Sequence, residues 1–289
     1  MNGAITYPAP AKLNLFLHVV GRRADGYHLL QSVFRFVDFG DSLAFSVRED
    51  GAVRRVNVLP GLDPERDLCV RAARLLQESS GCRLGVDITL EKRLPMGGGL
   101  GGGSSDAATT LLALNRLWNL NLERAALQNL GLKLGADVPV FVFGQSAFAE
   151  GVGEILQPVV LPPAWYVVLI PPVAVPTAEI FASRELTRDT IPITMAAFLR
   201  GRDCHDPAPG KQGRNDLQAV VCRKYPQVAE TLAWLEKSGD ARMTGSGACV
   251  FAGFATEQEA RAVFARRPDG MNGFVARGLD QHPLWGFAS

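Results

Sequence analysis

The residues with the clearest chemical content are glycines. Pro95–Thr109 reads PMGGGLGGGSSDAAT, with six glycines in the seven positions 97–103. A backbone without Cβ atoms folds tightly and brings its N–H groups onto a ligand. The apolar spacing behind the loop predicts a helix from Asp106 to about Trp118, with Asp106 as its cap. A helix start adds unpaired N–H donors and the positive end of a dipole. Together these make an anion site, and phosphate is the usual anion. Ser104 and Ser105 can add hydroxyl hydrogen bonds or hold a metal ion at its mouth. The P-loop pattern fails, because no Lys precedes the serines. Gly97-x-Gly99-x-x-Gly102 matches a dinucleotide loop in name only. Pro95 separates it from the preceding strand, and no acidic residue ends a second strand about 20 residues on.

Other residues carry chemistry under two readings each. Asp137 lies in GADVP (135–139) between a predicted helix end and a predicted buried strand, Val138–Phe143. It is a candidate general base, or a turn Asp that bonds the local backbone. Lys12 sits in a strand rich in Ala and Leu, where lysine is seldom buried without a charge partner; otherwise it is an ordinary solvated lysine. Asn14 shares its face by the period of two. Lys92 lines the adenine or phosphate entrance, or is a solvated strand-end lysine beside Arg93. Gly245-Ser246-Gly247 abuts the phosphate loop, or is a tight turn with no ligand. His18, His205 and His282 lie apart and predict no His-based metal site.

These groups need elements to hold them. Alternation predicts a half-buried strand over Ala11–Val20, with Lys12 and Asn14 on its second face. A turn follows at Gly21–His28 (GRRADGYH), then strands at Ser32–Asp38, Ser42–Val47, Val53–Val58 and Val86–Leu90. Asp67 caps a helix running to about Leu76, and a second helix covers Leu122–Leu132. Glycines and prolines near 150–163 predict a domain boundary, giving lobes 1–155 and 156–289. Beyond it lie a strand at Trp165–Ile170 and helices at Ile193–Arg200, Asp216–Lys224 and Gln227–Ser238. Arg242–Thr244 and Ala248–Phe254 flank the glycine turn, and helix Glu257–Arg266 precedes strand Gly273–Arg277. This order predicts α+β lobes, not a doubly wound sheet.

Composition narrows the function. The 289 residues balance 30 Lys+Arg against 29 Asp+Glu, without the cationic excess of a sequence-independent nucleic-acid binder. No apolar run reaches the roughly 18 residues of a membrane span, and no secretory signal is visible, so no membrane partner is expected. Five widely spaced cysteines without C-x-x-C predict a reduced, cytoplasmic protein.

With PAPAKLNL (8–15), GADVPVF (135–141) and MTGSGACVF (243–251), the glycine loop resembles the GHMP kinases, which include galactokinase, homoserine kinase and the mevalonate kinases. The resemblance runs over nearly the whole chain and is weakest at 48–66 and 183–214. It implies a two-lobed α+β fold: an N-terminal lobe like ribosomal protein S5 domain 2 and a C-terminal ferredoxin-like α/β sandwich. It implies an ATP-dependent small-molecule kinase with Mg2+ bound mainly through the nucleotide, acting as a monomer or weak homodimer. Lys12 and Asp137 become the catalytic pair. Lys92, Pro95, Met96, Gly97, Gly98, Gly99, Leu100, Gly101, Gly102, Gly103, Ser104 and Ser105 become the ATP site, with Ser104 or Ser105 the only protein contribution to the metal.

The doubled triple glycine, GRRADGYH and NDLQ (215–218) resemble the subgroup whose alcohol substrate carries a cytidine diphosphate, on the non-mevalonate route to isoprenoid precursors. Asn14, Tyr27, His28, Thr177 and Phe181 are then substrate residues. His28 would bond the cytosine, with Tyr27 and Phe181 stacked on its two faces. A core helix residue is the other reading of Phe181. A homoserine- or mevalonate-type kinase, a non-catalytic nucleotide sensor and a nicotinamide enzyme are the competing expectations.

Overall fold

Two long strands, β1 (Thr6–Arg22) and β2 (His28–Arg48), form an antiparallel hairpin across a five-residue turn. A computed structural model describes them together with the rest of residues 5–61, 63–200 and 213–289. The predicted half-burial of β1 is corrected: Leu13 and Leu15 are buried, and so are Lys12, Asn14, Phe16 and His18. Two segments distant in sequence bond its backbone. Lys12 N donates to Leu100 O in the glycine loop, and Leu17 N donates to Arg214 O.

The two strands predicted at Ser32–Asp38 and Ser42–Val47 are one, β2. Gly40 looks like a break but lies inside the strand, where an added Cβ would come within 2.1 Å of Ala9 O. Only glycine lets β1 pass there, next to a bulge at Pro10/Ala11.

β3 (Val53–Arg55) is shorter than predicted. α1 (Leu68–Ser80) is capped by Asp67 Oδ1, which accepts from Cys69 N, and runs one turn past Leu76. β4 (Gly85–Glu91) leads into the glycine loop. α2 (Gly102–Leu117) starts earlier than predicted, and its N-cap is Gly101 at φ 72°. Asp106 is therefore no cap: it lies inside the helix, buried. α3 (Arg124–Leu134) follows.

The strand predicted at Val138–Phe143 is a helix, α4, ended by Gly144 at φ 73°. Six consecutive apolar residues carry no period, so pattern alone cannot separate a buried strand from a buried turn of helix. α4 packs against α2 and α3, and its Phe141 ring meets Phe36 of β2.

β5 (Ala147–Glu150) and β6 (Ile155–Pro158) form an unpredicted hairpin over Gly151 and Gly153. β7 (Trp165–Ile170) matches the prediction. α5 (Thr177–Ala182), α6 (Met195–Arg200), α7 (Gln218–Lys224) and α8 (Pro226–Glu236) precede β8 (Ala241–Met243) and β9 (Val250–Phe254). α9 (Glu257–Ala265) and β10 (Asn272–Leu279) complete the fold.

Among the described residues one sheet runs β3-β4-β2-β10-β7-β9-β8, with β1 and β5 also paired to β2. β10 joins the halves, pairing with β7 along its length and with Val37 and Phe36 of β2 at its end. One apolar core lies under α1–α4 and one under α7–α9. A third, holding Leu13, Leu15, Val168 and Phe251, lies where β1 and β2 meet β7 and β9. No described helix is long and apolar enough to cross a membrane. Cys69, Cys82, Cys222 and Cys249 are free; Cys204 and His205 lie outside the described residues.

Candidate active site

The glycine loop is held by its carbonyls. Lys12 N donates to Leu100 O, Cys249 N to Gly98 O and Thr244 Oγ1 to Gly99 O, at 3.0, 3.1 and 3.3 Å. Gly97, Gly99 and Gly101 all have φ near +70°. At Gly99 a Cβ would come within 2.2 Å of Thr244 O, and at Gly101 within 2.9 Å of the Phe141 ring. The loop is thus wedged between α4 and the Gly245-Ser246-Gly247 turn, as predicted for that turn. Asn215, from NDLQ, fixes the turn by donating from Nδ2 to Met243 O and Gly245 O.

The loop and the first turn of α2 form one wall of a cleft of about 590 Å³, lined by residues from both halves of the chain. Pro95, Met96 and all six loop glycines line it, as does Ser104. Ser105 does not: it is fully buried, and its Oγ has no partner among the described residues. Position along the helix decides this, since adjacent residues point about 100° apart. Ser104 is therefore the hydroxyl presented to the cleft.

Lys12 is 2% exposed. Its Nζ lies 2.5 Å from Asn14 Oδ1 and 3.4 Å from Asp137 Oδ2, beneath an Asp137 side chain that is 40% exposed to the cleft. A buried ammonium needs such partners. Asn14 is fixed in turn: its Nδ2 donates to Ser32 Oγ and its N to Thr244 Oγ1. The period of two puts Lys12 and Asn14 on one face of β1. The start of α4 brings in Asp137, between two helices and not beside the predicted strand.

Lys92 is not solvated. Its Nζ sits between Asp41 Oδ2 at 2.5 Å and Asp106 Oδ2 at 2.9 Å on the cleft wall. Burial works against its charge, but the two carboxylates outweigh it and raise the Lys92 pKa. Burial, with Asp41 adding, pushes Asp106 up to about 8 against the pull of Lys92. Asp41 also accepts from Arg93 N and Leu94 N, so it anchors the entry to the loop. Sequence reading missed Asp41, which no local pattern marks.

Thr177 and Ser246 meet across the cleft, their hydroxyl oxygens 2.7 Å apart. Phe181 lines it too and is half-buried at the end of α5. Of the three predicted sandwich residues, Phe181 is the one on the cleft lining, with His28 beside it. The His28 ring lies against Phe181 itself, with centroids 5.0 Å apart and planes tilted by 32°. Tyr27 is 63% exposed, outside the cleft wall, in a turn where its N donates to Asp25 Oδ1. His28 Nε2 accepts from Arg188 Nε at 3.0 Å. Burial, then the charges of Arg188 and Arg22, lower the His28 pKa, so the ring is neutral at neutral pH.

The described residues hold no group of three or more His, Cys, Asp or Glu side chains that could hold a metal ion. What the cleft offers is a phosphate-sized cradle of backbone, a hydroxyl at its mouth, and an ammonium–carboxylate pair beside it.

Comparison with known proteins agrees with this geometry. The GHMP kinases N terminal domain matches residues 67–145, and the GHMP kinases C terminal domain matches residues 202–272. The chain is 63% identical, over 97% of its length and 98% of the relative's, to the 4-diphosphocytidyl-2-C-methyl-D-erythritol kinase of Thiobacillus denitrificans. It is 61% identical to the protein of the same name from Nitrosospira multiformis, over 98% and 94% of the two chains. A crystal structure of 4-(cytidine 5'-diphospho)-2C-methyl-D-erythritol kinase superposes with a TM-score of 0.79 at 34% identity, covering 95% of this chain and 99% of that one. Methanococcus jannaschii mevalonate kinase shares the fold alone, with a TM-score of 0.69 at 15% identity over 96% and 99% of the chains. The chain belongs to the GHMP kinase family.

Proposed function

We propose that this kinase transfers the γ-phosphoryl group of ATP to the 2-hydroxyl of 4-diphosphocytidyl-2-C-methyl-D-erythritol. The observation that carries the reading is the Lys12–Asp137 pair, 3.4 Å apart beside the glycine loop in a cleft that both halves line. The triphosphate lies on the loop and the start of α2, where backbone N–H groups and the helix dipole meet its charge. The nucleotide lobe spans 1–155 and the alcohol lies between it and the lobe 156–289.

Phosphoryl transfer asks for positioning and charge stabilisation more than covalent chemistry. The alcohol oxygen forms a bond to the γ-phosphorus as the bond to the β,γ-bridging oxygen breaks, and ADP leaves. Asp137 takes the hydroxyl proton. Lys12, 3.4 Å from Asp137, offsets charge on the transferring group, while Asn14 holds Lys12 in place. Ser104, whose hydroxyl lines the cleft, would hold Mg2+ there, an ion that prefers hard oxygen ligands and keeps the phosphates as its main partners; when bound, it would neutralise phosphate charge. Lys92 lines the nucleotide side, held by Asp41 and Asp106. His28, Phe181 and Thr177 face the cytidyl end.

The 63% identity to a protein named for this substrate supports the choice of acceptor. A panel assay tests it: ADP release with the cytidyl alcohol, and none above background with mevalonate or homoserine. Turnover of either of those alone would overturn the reading.

A further inference from the structure

The loop after α5 carries a residue that no motif marks. Arg188 spends its guanidinium on four hydrogen bonds. Nη1 donates to Leu186 O at 3.0 Å, and Nη2 donates to Phe181 O and Ser183 O at 3.0 and 2.6 Å. The fourth leaves this local clip: Nε donates to His28 Nε2 at 3.0 Å, across 160 positions of sequence. A planar fork of donors fixed on three carbonyls has little freedom left, so the direction of its Nε–H is set by the loop.

That bond has a chemical consequence. A guanidinium has no lone pair to offer, so His28 Nε2 must be the acceptor. A neutral imidazole that accepts at one nitrogen carries its proton on the other. The His28 proton is therefore on Nδ1, which has no hydrogen-bond partner among the described residues. The lowered His28 pKa agrees, because a protonated ring would lose the acceptor and stand beside Arg188 and Arg22. The same clip holds the backbone of Phe181, whose ring lies against His28.

We propose that Arg188 is a positioning residue that fixes the His28 imidazole as its Nδ1–H tautomer and so presents a donor to the acceptor atoms of the substrate's pyrimidine. It does not touch the substrate; it acts through His28. Cytosine offers ring N3 and the 2-carbonyl oxygen as acceptors, whereas uracil carries a proton on N3. A fixed donor at His28 thereby adds to discrimination for cytosine. This rests on the cytidyl-alcohol reading above, but the tautomer itself does not.

The test has two arms on the full chain. Nitrogen-15 NMR of the imidazoles, with the His28 signal assigned by its loss in His28→Ala, reads the tautomer without any substrate. The wild type should carry the proton on Nδ1, and Arg188→Met should release it to a mixture of both tautomers. Steady-state kinetics form the second arm. Arg188→Met should raise KM for the cytidyl alcohol about tenfold, as for one lost hydrogen bond, and leave KM for ATP within about twofold. In the His28→Ala background the same change should add less than about twofold, because both residues act as one unit. A wild-type proton on Nε2 overturns the proposal, as does an undiminished Arg188→Met effect in the His28→Ala background. If the wild type turns over no cytidyl alcohol, the functional reading fails, and the NMR arm alone decides for or against Arg188.

Discussion

Ser104 and Ser105 are chemical neighbours in opposite surroundings. One lines the cleft at the first turn of α2; the other is buried with an unpartnered hydroxyl. An unmet buried hydroxyl contributes no hydrogen bond that its removal would forfeit. Ser105→Ala is thus expected to keep KM for MgATP within about twofold and to leave Tm unchanged or raised, whereas Ser104→Ala should raise that KM about three- to tenfold. Paired kinetics and thermal melts check this, and the reverse order of effects would reassign the hydroxyls. The sequence made the pair visible but not the choice, since the exact start of a helix sets which side chain faces out. Lys12 was similar. Its type, its strand and Asn14 on the same face were legible, but its burial and its 3.4 Å contact with Asp137 Oδ2 are set by the fold.

The glycine loop shows what an element must give up to bind an anion. Its carbonyls are tied to β1 and to the chain around β8 and β9, and its left-handed residues leave no room for side chains. Gly99→Ala puts a Cβ within 2.2 Å of Thr244 O at φ +76°, so the loop must shift away from the Gly245 turn. Such strain costs on the order of 1–3 kcal/mol, and we expect at least a tenfold rise in KM for ATP with the fold retained. Circular dichroism and ATP kinetics measure both; an unchanged KM would show that the loop does not need this contact.

The loop was readable from sequence because its information is local: glycine content, followed by a helix. α4 was misread because Val138–Phe143 has no polar residue to reveal a period. β2 was split because Gly40 resembles a turn until β1 is seen crossing it. Arg188 and Asp41 were invisible because their partners lie far away in sequence.

At the scale of the molecule, the end of the chain returns to the first core. Leu284 is buried there, and Arg124 donates from Nη2 to Ala288 O at 2.6 Å. His282 anchors this return: its N donates to Gly144 O, and its Nδ1 accepts from Leu284 N. Burial, with Arg124 adding, pushes its pKa down from 6.5 to about 3. Between those values the unfolded chain binds a proton that the folded one refuses. Stability from this group is therefore whole above pH 6.5 and is lost as pH falls toward 3. His282→Gln should remove that acid-sensitive part. From pH 7 to pH 4 the wild type should lose on the order of 3 kcal/mol more unfolding free energy than the variant. Denaturant melts at the two pH values test it, and parallel losses would contradict it.

The same architecture places a nucleotide cradle and an ammonium–carboxylate pair in one cleft, and Asp137→Asn probes their division of labour. Single-turnover phosphoryl transfer to the cytidyl alcohol, measured together with the affinity for a non-hydrolysable ATP analogue, is the most direct measurement. We expect the rate to fall about 10²- to 10⁴-fold while the analogue binds within about threefold of wild type. A rate within tenfold of wild type, or an equal loss of rate and nucleotide affinity, would contradict the assignment of Asp137 as the proton acceptor.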